Sequence, residues 1–244
     1  MFQLVDAVIG TPQVQFQGLI ADTTPRIQPG NIITAVDNYW GAGEFIYARA
    51  AGTIRAFGLC SILPVFDSTL GSYRFDVTEV VNAANLGRML CVSPLAMVTG
   101  QYAWFAISGL IPVNCNASVA ADTTFGIAAA GQGGANGAGK QVLNARIVAA
   151  ATTTVVKANC SAANGSLVLQ VPNSDGWFVG AYLSGTGIAA GATVASIDPS
   201  GRFVTMSAAA SALVSGSVTA TYNNATVFYN VAHLNRPFAQ GAIT

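Results

Sequence analysis

The chain has 244 residues, of which 52% are hydrophobic and only 8% charged, with 10 acidic and 10 basic side chains and a single histidine. Ordinary soluble domains carry about a quarter charged residues, so this surface is nearly neutral and built from Ala, Gly, Ser, Thr and Asn. That composition excludes nucleic acid as a main partner, because Arg26, Arg49, Arg55, Arg74 and Arg88 are scattered among acids instead of forming the basic patch that phosphate binding requires.

From the N-terminus, Met1–Asp6 lacks the basic and long apolar regions of a secretory signal. Residues 1–30 carry Pro12, Pro25 and Pro29 among Phe2, Val14 and Phe16, and are expected to form an extended arm. Phe45–Arg49 and Thr53–Phe57, separated only by Ala-Ala-Gly, read as a hairpin. Ser72–Thr78 alternates with period two and is a strand. Thr78–Leu86, stopped by Gly87, is a candidate for one short helix.

Met89–Ala121 contains no charge, yet Ser93, Pro94, Gly100, Gly109 and Pro112 break it, so it is not expected to span a membrane. Within it, Tyr102–Ile107 reads as a core strand around Trp104. Gly126–Lys140 is rich in Gly and Ala and is expected to be a mobile surface loop. Gln141–Ile147 and Val227–Leu234 look like further strands.

The texture changes near Ala158. Short apolar runs at 166–171, 182–184, 193–197, 203–206 and 217–222 are separated by turn residues such as Pro172–Gly176 and Asp198–Gly201. The expected fold is therefore all-β with very little helix. A β-barrel or β-sandwich main domain (31–157 plus 223–244) would carry a small inserted β-sandwich or barrel (158–222).

The chemistry-bearing motifs are sparse. Gly134–Gln141 approaches the phosphate-binding G-x-x-x-x-G-K-[ST] loop, but Gln141 replaces the magnesium-binding hydroxyl and strand character follows it. Gly185–Gly191 is one residue too long for a dinucleotide fingerprint and lacks its βαβ setting. His233 lies among apolar neighbours, which fits a strand residue better than a catalytic base. An acid pair such as Asp76 and Glu79 could serve glycoside hydrolysis, but none of the ten acids is set in a recognisable motif. Cys60, Cys91, Cys115 and Cys160 are too far apart for a C-x-x-C site and are expected to be buried free thiols. No catalytic residue, metal site or cofactor is expected. Trp40 and Trp177 follow turn residues, and could be contact anchors or lids over barrel ends.

The run Gly43–Arg49 leading into Thr53-Ile54-Arg55, the charge-poor body, and the stretches Gly180–Val194 and Phe203–Ser207 resemble the capsid decoration, or cement, proteins of tailed bacteriophages. The resemblance implies a virion protein, made in the bacterial host cytoplasm, that binds the outer capsid surface and clamps neighbouring major capsid proteins. It also implies self-association, a trimer before a dimer, with no nucleic-acid or membrane partner. The arm would act as an adaptor and the inserted module as an outward knob. The contacts expected on this basis are Phe2, Leu4, Phe16, Trp40 and Phe238. The alternative is a phage tail or receptor-binding protein, which shares the texture. A virion glycan hydrolase would need paired acids, and a surface adhesin a secretion signal.

Overall fold

A computed structural model of the chain describes residues 3–4, 21–37, 39–68, 71–224 and 226–242. The fold is all-β: among the described residues 53% lie in strands or β-bridges and none in a helix. The first strands are β1 (Gln3–Leu4), β2 (Ile32–Asp37), β3 (Gly41–Ala50), β4 (Leu59–Asp67), β5 (Ser72–Glu79), β6 (Leu90–Val92) and β7 (Tyr102–Ala106). Next come β8 (Ser108–Cys115), β9 (Gly126–Ala129), β10 (Gln132–Gly134) and β11 (Val142–Ala149). The remainder are β12 (Thr154–Ala162), β13 (Val168–Gln170), β14 (Tyr182–Ser184), β15 (Val194–Ile197), β16 (Phe203–Met206), β17 (Val214–Thr221) and β18 (Phe228–Ala239).

These strands form three sheets, and each closes on itself. The first runs β1-β2-β3-β5-β4-β6-β7, and β7 pairs back onto β3, so β1 and β2 lie outside the ring. The second runs β11-β18-β8-β10-β9 and is sealed by bridges Gly126–Gln141 and Thr123–Ile147. The third runs β14-β17-β12-β13-β16-β15 and is sealed by the Tyr182–Thr193 bridge, with Leu183 donating to the Ala192 carbonyl and Val194 to that of Ala181. Closure removes the unpaired strand edges that invite uncontrolled pairing. It demands local bends, which bulges supply: Asn144 (φ 57°) sits at the register shift in β11 and Asn159 (φ 55°) at that in β12.

The third ring occupies Thr154–Thr221, and the strands flanking it in sequence, β11 and β18, pair with each other in the second ring. β12 thus begins ahead of the change in texture at Ala158. The interior of the first ring is its own apolar cluster, including Ile46, Ala48, Ile62, Val77 and Phe105. The opposite face of β3, Phe45 and Tyr47, joins a second cluster that continues through the other two rings.

Three local expectations are corrected. Phe45–Arg49 does not fold back on Thr53–Phe57: it pairs with Tyr102–Ala106, while Ile54 bridges to Met97. Phe45 and Tyr47 on one face and Ile46 and Ala48 on the other are all buried, and a strand covered on both faces takes distant neighbours. Thr78–Leu86 is not a helix: β5 continues to Glu79, Val80 donates to the Leu59 carbonyl, and Asn85 is left-handed at φ 58°. Paired β-branched valines and repeated asparagines are weak helix formers, and the tertiary contacts decide. Gly126–Lys140 is not a loose loop but contains β9 and β10. A Cβ at Gly134 would stand 2.5 Å from that of Ala128, so glycine is what lets the two strands approach.

Candidate interaction surfaces

The contact residues expected from the sequence fall in different places. Phe2 and Phe16 lie outside the described residues. Leu4 is in β1, where its backbone pairs with Ala35. Trp40 is buried at 8% exposure, not presented to a partner. The Asp37 carboxylate caps its turn, accepting the Tyr39 and Trp40 backbone N–H groups at 2.8 Å each. The Trp40 ring meets Tyr39 edge-on at 4.7 Å and lies 6.0 Å from Tyr222. A loop tryptophan is exposed only where no neighbouring element covers it, and here the end of β17 does. Phe238 is at the surface, 39% exposed, opposite Leu143 on the neighbouring strand at 36%.

Trp40 belongs to a joint that the sequence did not reveal. Phe57 from the first ring, Phe178 and Tyr222 from the third, and Tyr229 on β18 stack together. Phe178 is central, with ring centroids 5.0 Å from Phe57, 4.9 Å from Tyr222 and 5.1 Å from Tyr229. Tyr222 donates its hydroxyl to the Gly176 carbonyl at 3.0 Å, and burial pushes the phenol well above its ordinary range. Phe57 is held left-handed at φ 54° by its N–H to the Ser93 carbonyl and its carbonyl to the Asn114 N–H. A bulky residue adopts that conformation only where surrounding structure enforces it. Trp177, also buried, donates its indole N–H to the Val155 carbonyl at 3.1 Å.

The exposed apolar side chains gather in patches. At the far end of the β4–β5 hairpin, Phe66 and Tyr73 are 56% and 63% exposed and meet edge-on at 5.4 Å. Beneath them Arg74 is clamped between Asp67 and Asp76, whose carboxylates hold its guanidinium above its ordinary pKa. With Arg49 of β3 also paired to Asp76, the aromatic pair is presented above a charge-balanced cluster of two arginines and two aspartates. A second patch lies on the third ring, where Val168, Phe203 and Leu213 line a shallow groove of about 400 Å³ with Gln170 and Ser161.

Charge is neutralised internally elsewhere too. Arg55 makes a forked contact with Glu79 at 2.8 and 3.0 Å, and Arg236 a similar one with Glu44 at 3.2 Å. Arg26 pairs with Asp22 and Arg49 with Asp76. All four cysteines are buried as free thiols. Cys60 and Cys91 face each other across β4 and β6, and burial together with this contact pushes Cys91 upward. Cys115 is pushed up to about 12 by burial. Thiols so placed are poor nucleophiles. Among the described residues no three His, Cys, Asp or Glu side chains converge as metal ligands, and no helix is long and apolar enough to cross a membrane.

The arrangement is thus a set of closed rings, joined by an aromatic cluster, with paired charges and small exposed apolar patches. No family model, curated protein or solved structure matches this chain.

Proposed function

We propose that the chain is a virion structural protein that binds the outer surface of a phage capsid and stabilises contacts between major capsid subunits, doing no chemistry of its own. The observation that carries this reading is the pairing of exposed aromatics with neutralised charge: Phe66 and Tyr73 project from a hairpin whose Asp67 and Asp76 are balanced by Arg74 and by Arg49 of the neighbouring strand. Interface centres are rich in aromatics and poor in unpaired charge. Phe238 with Leu143, and the Val168–Phe203–Leu213 groove, offer further small patches. Several weak patches on one rigid body gain strength when engaged together, more so in a homo-oligomer, where a trimer would match a three-fold position on a shell. The protein acts at the virion surface after synthesis in the bacterial cytoplasm.

The test is addition of the purified protein to capsids of its own phage stripped of decoration. Saturable, stoichiometric binding with a raised temperature of capsid rupture supports the reading. Capsids that neither bind the protein nor gain heat resistance overturn it.

A further inference from the structure

The outer face of the second ring carries a cleft of about 430 Å³ along β11 and β18, whose polar lining is Thr124, Gln141, Asn144, Arg146, His233 and Asn235. Arg146 and the chain's only histidine, His233, are direct cross-strand partners and so project from the same face. Asn235, two residues beyond His233 on β18, shares that face. Asn144 is the left-handed bulge residue that interrupts the register between Leu143 and Ala145. No aspartate or glutamate lines the cleft.

We propose that this cleft binds an oxyanion, a carboxylate or phosphate group. Arg146 is held from one side only: its Nη2 donates to the Asp122 backbone carbonyl at 3.1 Å and to the Asp122 carboxylate at 3.0 Å. Its Nε and Nη1 have no acceptor among the described residues, whereas Arg55, Arg74 and Arg236 each commit Nε to a carboxylate. The free edge of a guanidinium matches the two oxygens of a carboxylate or phosphate. The imidazole of His233 and the amides of Asn144, Asn235 and Gln141 supply further N–H donors, and none of these side chains has a partner within the described chain. A cluster of amide and imidazole donors around a guanidinium whose Asp122 pairing leaves Nε and Nη1 open is chemistry suited to an anion. The open geometry gives weak, exchangeable binding.

His233 is its own reporter, because a chain with one histidine gives one set of imidazole signals in a 15N-edited NMR spectrum. The full chain is titrated with sodium phosphate and, separately, with sodium glutarate, against sodium chloride at matched pH and ionic strength. A saturating shift of the imidazole signals with either oxyanion, absent with chloride, is expected. Response to phosphate alone assigns a phosphate group, and response to glutarate alone a carboxylate such as a partner's acidic side chain. Arg146→Gln should weaken the binding about tenfold or more, the loss expected for hydrogen bonds to a charged group. Asn235→Ala, on the exposed side of β18, should weaken it to a smaller degree and serves as the test if Arg146→Gln fails to fold. Identical, unsaturated shifts in phosphate, glutarate and chloride would overturn the proposal, as would saturation unchanged in both variants. The outcome is independent of capsid binding, since only the isolated protein is used.

Discussion

Phe178→Ala tests whether the three rings behave as one body. Phe178 is 4% exposed and touches rings from the first ring (Phe57), its own ring (Tyr222) and β18 (Tyr229). Removing a buried phenylalanine costs about 3–5 kcal/mol. Each favourable ring pair contributes about 0.5–1.5 kcal/mol within such contacts, which places this site toward the upper half, about 4 kcal/mol. For a chain of this size each kcal/mol moves the melting midpoint by about 2–4 °C, so the midpoint should fall by about 8–16 °C. The assay is thermal and urea unfolding followed by circular dichroism and by tryptophan fluorescence, where Trp177 reports on the third ring and Trp104 on the first. The parent should show coincident transitions, and the variant separate ones, with the third ring melting first. Val156→Ala, at a 57% exposed position, is the control and should change stability by less than ~0.5 kcal/mol. A loss under ~1 kcal/mol in Phe178→Ala, or transitions that stay coincident, would refute the idea of an aromatic joint.

Further outcomes follow from the same structure. Gly109→Ala should lower stability by several kcal/mol, measured by urea denaturation, because its Cβ would stand 2.5 Å from the Ala42 carbonyl oxygen at a φ of 96°. Tyr73→Ser, at 63% exposure, should leave the melting midpoint within about 2 °C but reduce capsid binding. The fold should also be alkali-sensitive. Burial raises Cys115 to about 12, and also raises Cys91 and Cys160. A group with a raised folded pKa binds its proton more tightly in the folded state. Its stabilisation is complete below the unfolded thiol value, about 8.5, and is lost as pH climbs toward the folded value. Urea midpoints should therefore fall steadily above about pH 8.5, by up to 1.36 kcal/mol per pH unit for each such thiol; a flat profile to pH 11 (~2.5 units beyond the unfolded value) would contradict the burial of these thiols.

The all-β class was legible because period-two alternation and frequent turn residues are local signals: Ser72–Thr78 reads as a strand from its own side chains, and β5 runs one residue further, to Glu79. The turn spacing from 166 to 222 likewise marked five strands of the third ring but not β12, which begins ahead of it. What was not legible depends on distant partners. β3 looked like half of a hairpin because nothing in Phe45–Arg49 names Tyr102–Ala106 as its neighbour. The glycine tract of β9 and β10 looked mobile because sequence shows the missing side chains but not the backbones that close in on them. Trp40 looked exposed for the same reason: its cover, Tyr222, lies far along the chain. The cleft around His233 was hidden because its residues come from β11 and β18, and His233 was judged by its apolar neighbours in sequence, whereas alternation turns it outward between buried Ala232 and Leu234. The direct signal available was Arg146 and His233 in two candidate strands whose pairing register was unknown.

The central claim, that this is a neutral surface made to be covered by capsid subunits, is tested most directly by a binding isotherm on decoration-stripped capsids at low and high salt. Burial of apolar patches whose neighbouring charges are already paired should give saturable binding that changes little as salt rises, since screening acts on unpaired exposed charge. Absence of saturation, or binding that collapses at high salt, would contradict the claim.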